Sequence, residues 1–194
     1  MIDYRIEHHC FHGTTDKATR DIIKDKRFTI NKRSNHWLGN GAYFFLNDFS
    51  KAEWWANNAV KNELKKNSSS TVAPSILYVP ARMSKIELLD LNTEDGQMIL
   101  VRFQKKLEQM NIRVKINNTH EYTEEEMTRI TLCHALDFMH KLVKIKAASY
   151  TFQNAGKPFF FGDLKAYGIM NNRGQQICIF EQSTLDFEKM EKII

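Results

Sequence analysis

The chain has 194 residues and 22.8 kDa, with 42% hydrophobic and 26% charged residues, which is the composition of an ordinary globular domain and excludes wholesale disorder. No apolar run approaches the ~18 residues that a membrane span needs, and the opening Met1-Ile2-Asp3-Tyr4-Arg5 lacks the apolar core of a signal peptide, so a soluble, cytoplasmic protein with no membrane partner is expected. A net charge of +5 and a pI of about 9.0 allow an acidic partner such as nucleic acid without singling one out, because the basic residues are spread along the chain.

Residues 4–11 alternate well enough for a strand, which ends at His12-Gly13-Thr14-Thr15, a turn whose threonines can cap the next helix. That helix carries Ala18, Ile22 and Ile23 on one side and runs into a basic stretch at Lys24, Lys26 and Arg27, where solvated surface is the plain reading. Trp37-Leu38-Gly39-Asn40-Gly41 opens directly into the apolar run Ala42-Tyr43-Phe44-Phe45-Leu46, a buried strand. Ser50 and Glu53 then read as a capping box, with Phe49 and Trp54 as its hydrophobic staple. Ala52, Trp55, Ala56, Ala59, Val60 and Leu64 recur at helical spacing behind it.

Residues 65–71 are a polar loop, and residues 75–81 are a strand that Pro80 pushes toward an edge or a bulge. Residues 86–91 suggest another short strand. Thr93 caps a helix bearing Ile99, Phe103 and Leu107, and a second capping box, Thr123 with Glu126, opens a long helix to about Lys146. Gly174 marks a turn that feeds an apolar strand through Ile177, Cys178 and Ile179. No internal repeat or linker divides the chain, so a single α+β domain over residues 1–194 is predicted. Cys10, Cys133 and Cys178 are scattered without a C-x-x-C pair, which fits reduced thiols rather than a disulfide framework. The histidines have no metal-like register, and no metal site is expected.

Three segments join a turn, a polar or aromatic residue and a buried strand: Phe11-His12-Gly13-Thr14, Leu38-Gly39-Asn40-Gly41-Ala42-Tyr43-Phe44 and Gln175-Gln176-Ile177-Cys178-Ile179-Phe180. In this order the chain resembles the ADP-ribosyltransferase superfamily, in the branch like diphtheria toxin and poly(ADP-ribose) polymerases known by its H-Y-E motif. The resemblance covers about the first 60 residues and the last 20. It implies a split antiparallel β-sheet with flanking helices that grips NAD in a cleft, the NAD being consumed as co-substrate.

Carried onto this chain, the resemblance puts the His12 imidazole on the adenine-side ribose and the Gly13 backbone on the nicotinamide carboxamide. Thr14 follows as a helix cap beside the contact, and Gly41 opens the Tyr43 strand. Tyr43 and Trp55 would sandwich the nicotinamide ring, as one aromatic face packs against another. Each residue also has a plainer reading: Tyr43 and Trp55 as packing aromatics, Gly39 and Gly41 as turn glycines. Trp37 and His36 sit in a loop beside the cleft or serve as plugs.

The sequence departs from the family pattern at the catalytic Glu, where Gln176, or Gln175 one step earlier, takes its place. An amide can position a hydroxyl but cannot stabilise a cation. The outcomes are transfer to an intrinsically good nucleophile, rescue by Glu181, or NAD binding without turnover. Single transfer of ADP-ribose to RNA, DNA or a protein, with nucleic acid slightly favoured, is the leading expectation. The resemblance also implies a microbial toxin or phage-defence effector with an antitoxin as possible partner. A non-catalytic NAD or ADP-ribose module, and an NAD hydrolase or RNA 2′-phosphotransferase-like enzyme on the same fold, are the alternatives.

Overall fold

Alternating side chains carry the first strand, β1, from Arg5 to Thr15, so it runs on through His12 and Gly13 where a turn was expected. The computed structural model describes residues 4–112, 122–153 and 172–194. Thr15, rather than Thr14, caps helix α1 (Asp16–Asp25), its Oγ1 accepting from the Ala18 amide at 3.3 Å. Strand β2 (Ala42–Leu46) follows the Gly-rich loop, and helix α2 spans Phe49–Lys66. Its N-cap is Asp48, whose carboxylate accepts from the Lys51 amide at 3.0 Å. The expected box of Ser50 and Glu53 therefore falls two residues too late, and Trp54 is left 58% exposed instead of stapling the helix.

Strand β3 (Pro74–Ser84) pairs with β1 along its whole length, and β4 (Leu88–Asp90) is a short strand. Helix α3 (Glu94–Gln109) starts at the Thr93 cap and buries Phe103, while Ile99 stays exposed. Helix α4 (Glu124–Val143) starts at the Thr123–Glu126 capping box and stops at Lys144, whose φ of 60° ends the helix short of Lys146. The sequence reading missed the next strand, β5 (Ala147–Gln153). Strand β6 (Asn172–Ile179) includes Gly174, at φ +86°, within the strand rather than ahead of it. A short β7 (Glu191–Lys192) closes the described chain.

The fold is α+β. Among the described residues these strands form one seven-stranded mixed sheet in the order β4-β5-β6-β2-β1-β3-β7, parallel only between β4 and β5. One face packs on Ile22 of α1 and on Phe28, through Cys10, Phe44, Val79 and Ile177. The other face is divided. Phe45 and Ile76 lie under Ala52 and Ala56 of α2, whereas Leu89, Ala148 and Cys178 lie under Leu136 and Met139 of α4. Among the described residues no helix is long and apolar enough to cross a membrane.

Candidate functional site

The two halves of the sheet meet at β1 and β2, which pair only at Cys10↔Leu46 and Phe11↔Phe45. Beyond Phe11, β1 continues along β3, and before Phe45, β2 continues along β6, so the ladder opens between His12-Gly13 and Tyr43-Phe44. Opening a ladder orphans backbone groups, which need new partners. The Tyr43 carbonyl finds one in the His12 ring, whose Nδ1 lies 2.8 Å away. A carbonyl only accepts, so Nδ1 carries the proton and Nε2 of a neutral ring is left as an acceptor. Burial against Phe28 and Phe44, at centroid distances of 5.0 and 5.6 Å, pushes the His12 pKa below the usual histidine value and keeps the ring neutral.

A cleft of about 470 Å³ fills this opening, within the usual size of a small-molecule site. His12, Gly13, Tyr43 and Phe45 line its floor, with Gln176 beside them on β6. Trp54 and Trp55 of α2 form one wall; the loop residues His36 and Trp37, with Phe152 and Arg173, form the other. Trp55 is 50% exposed and its ring lies 6.4 Å from that of Phe45. Apolar walls with few polar groups suit a flat aromatic ring carrying a polar substituent.

Tyr43 offers its ring and not its hydroxyl. The Oη accepts from the Leu38 amide at 2.7 Å and donates to the Gly39 carbonyl at 2.9 Å, and burial raises its pKa far above that of a free phenol. The loop thus engages the Tyr43 hydroxyl on both its donor and its acceptor side and fixes the ring in place. The same loop is clamped to α4: Asn40 donates from its backbone N and its Nδ2 to the Asp137 carboxylate at 2.7 and 2.6 Å. Nothing in the sequence pairs residues 97 positions apart, and that clamp went unseen.

Two of the glycines are explained by close approach. A Cβ on Gly13 would stand 1.9 Å from the Ala52 carbonyl oxygen, so the bare Cα, with Ala52 and Ala56 opposite, lets α2 lie directly on β1 and brings Trp55 to the cleft. A Cβ on Gly41 would stand 2.5 Å from the Ile179 carbonyl oxygen; Gly41 lets β2 close on β6 and does not line the cleft. Thr14 pairs with Ser75 on β3 and also lies off the cleft.

Gln176 pairs with Phe45 on one side and Tyr150 on the other and faces the cleft; strand alternation turns Gln175, opposite Thr151, to the other face. Glu181 lies past the end of β6, outside the lining, with its carboxylate 3.9 Å from Lys146 Nζ. The structure thus gathers His12, Gly13, Tyr43, Trp55 and Gln176 at one place and leaves Thr14, Gly41, Gln175 and Glu181 outside it. Phe152 and Arg173 were missed, the first because β5 was not recognised. The signal for β5 was there, in the run of small and aromatic residues from 147 to 152.

Over 58 residues the chain is 36% identical to an uncharacterized protein of Methanocaldococcus jannaschii, a stretch that covers 29% of this chain and 27% of that protein. No family model matches the chain, and no solved structure matches it. The chain therefore spans only about a quarter of that relative's length, and the cleft's chemistry rests on its own residues. All three cysteines are buried; burial raises the Cys10 thiol to about 12 and Cys133 to about 11, and holds Cys178 well above its ordinary value, so none is poised as a nucleophile. Among the described residues no group of His, Cys, Asp and Glu has the arrangement of a metal site.

Proposed function

We propose that the sheet is an ADP-ribosyltransferase-type sheet and that the chain is a mono-ADP-ribosyltransferase, using NAD as co-substrate and a macromolecule as acceptor. The observation that carries this reading is the convergence of His12, Gly13, Tyr43, Trp55 and Gln176, far apart in sequence, on one cleft at the opening of the sheet. His12 Nε2 accepts from a ribose hydroxyl, and the Gly13 backbone faces the carboxamide. The nicotinamide ring lies between Tyr43 and Trp55. When the ribose C1′–nicotinamide N1 bond breaks, the electron pair leaves with nicotinamide and the ribose becomes an oxocarbenium-like cation. The acceptor's lone pair then attacks C1′, and the acceptor gives its proton to solvent.

Gln176 takes the position of the motif Glu in this scheme, its carbonyl oxygen holding the ribose 2′-hydroxyl. No carboxylate is among the described residues that line the cleft, so the cation receives dipoles rather than a full negative charge. That supports transfer to an acceptor that is nucleophilic on its own account. The same observation favours a second reading, a module that binds NAD or ADP-ribose without turning it over.

Nicotinamide release from NAD separates the two readings. The purified protein is assayed alone and with RNA, DNA or cell lysate, with Tyr43→Ala run alongside. Release that needs one acceptor pool and is lost in the variant supports the transferase. If no pool elicits release while NAD raises the melting temperature, the transferase reading fails and the binding module replaces it.

A further inference from the structure

A second cavity of about 340 Å³ is lined by Arg33, Ser34, Asn35, Tyr122, Glu126 and Arg129, the last of which also packs on Trp37 of the cleft wall. Glu126 brings one negative charge, its Oε2 accepting from the Thr123 amide at 2.9 Å and from Thr123 Oγ1 at 3.0 Å, so Arg33 and Arg129 together leave the lining with one net positive charge. The guanidinium of Arg129 lies over the Trp37 ring at 5.6 Å, and its Nε is buried with no hydrogen-bond partner. A buried donor left unmet asks for an acceptor, and a guanidinium fork beside a second arginine, a serine and an asparagine matches phosphate oxygens. Arg173 lies over the same indole at 5.0 Å and lines the cleft itself, so cationic groups run from the second cavity across Trp37 into the first.

On the opposite wall, Trp54 is 58% exposed and its ring lies 6.0 Å from that of Trp55. Neither core packing nor the helix start accounts for it, because Asp48 caps α2. An exposed indole next to a cationic track is the combination that single-stranded nucleic acid uses, bases stacking on aromatic faces while basic side chains follow the phosphates. An acidic polypeptide would use the cations but has no call on the indole.

We propose that the acceptor is a single strand of RNA or DNA, with a phosphate seated between Arg33 and Arg129 and a base stacked on Trp54, so that the neighbouring nucleotide enters the cleft. This proposal rests on the transferase reading for the reaction, but not for the binding it predicts. The decisive test is anisotropy of a fluorescent mixed-sequence twelve-nucleotide strand, as RNA and as DNA, titrated with the full chain at several salt concentrations. Polyglutamate serves as competitor, and NAD binding is measured separately by calorimetry.

Binding should weaken as salt rises. Arg33→Gln, on an exposed loop residue, should flatten the logarithmic salt slope by about one and leave NAD affinity unchanged. Trp54→Ala should weaken strand binding roughly fivefold or more. Arg129→Gln should do at least as much as Arg33→Gln, and Arg33→Gln remains the decisive variant if Arg129→Gln does not fold. Strand affinity unchanged in Arg33→Gln and Trp54→Ala would overturn the proposal, and so would polyglutamate competing as well as an unlabelled strand. Strand binding with these losses but without any NAD binding would keep the nucleic-acid site and defeat the transferase reading instead.

Discussion

His12 Nδ1 stands 2.8 Å from the backbone carbonyl of Tyr43, a side chain making the hydrogen bond that the sheet gives up where β1 and β2 part. One contact thus holds the two halves of the sheet at a set distance and fixes which ring nitrogen faces the cleft. Its pH dependence has a definite sign. Burial lowers the folded-state pKa of His12 below the ordinary value, so below about pH 6.5 the unfolded chain takes up a proton more readily than the folded one. The stability this arrangement contributes is present above the unfolded pKa and is lost as pH falls toward the folded one. The melting temperature should therefore drop between pH 7.5 and pH 5.5, and the drop should shrink in His12→Asn, whose amide can still donate to the Tyr43 carbonyl. An equal drop in both proteins would show that His12 is not the group responsible.

Gly13 has to be glycine for a reason that precedes any ligand. The Cβ of Gly13→Ala would stand 1.9 Å from a backbone oxygen of α2, and a helix backbone cannot rotate away as a side chain can. Forcing α2 off the sheet should cost about 3 kcal/mol in urea denaturation, the upper end of ordinary overpacking. It should also displace Trp55 from the cleft. A denaturation midpoint unchanged by the substitution would mean that α2 does not lie this close.

The Asn40–Asp137 clamp predicts a local loosening. Asp137→Ala leaves the backbone N–H of Asn40 without its acceptor and the Asn40 Nδ2 with only the Cys133 sulfur at 3.8 Å, a loss of about 2 kcal/mol for donors that are partly buried. The loosening should concentrate in the loop that carries Arg33, His36 and Trp37, because the Arg33 amide in turn donates to Asn40 Oδ1 at 2.7 Å. Brief trypsin treatment under native conditions should then cut after Lys32 or Arg33 several-fold faster than in the parent protein. Cleavage at the parental rate would place the loop's stability elsewhere.

The elements that announced themselves in sequence were those whose signal is local. Thr93 and the Thr123–Glu126 pair start α3 and α4 as read, because a cap acts over three residues. The aromatic run at 42–46 is a buried strand because both of its faces are covered. One failure was a choice between neighbouring caps, and the others were non-local. Asp48 outcompetes Ser50 at the start of α2, and β5, whose small and aromatic residues give only a short signal, is held as a strand by β4 and β6 on either side. The cleft was legible as three separate segments. The second cavity was not, since Arg33 and Arg129 meet only through the packing of a loop on a distant helix.

The same strand geometry allows a direct test of the amide at position 176. Gln176→Glu changes the charge of the side chain with almost no change in volume, so the fold should be undisturbed. A carboxylate facing the cleft would give the ribose cation the full negative charge that the amide lacks. In a site with apolar walls, one well-placed electrostatic group is worth orders of magnitude in rate. Nicotinamide release with water as acceptor should rise about tenfold or more in Gln176→Glu, with NAD affinity changed far less, because the charge acts on the transition state. Gln175→Glu is the control: position 175 points to the other face of β6, and the same charge there should leave release at the parental rate. A gain in both variants would indicate a general field effect, and no gain in either would mean that the ribose does not lie beside Gln176.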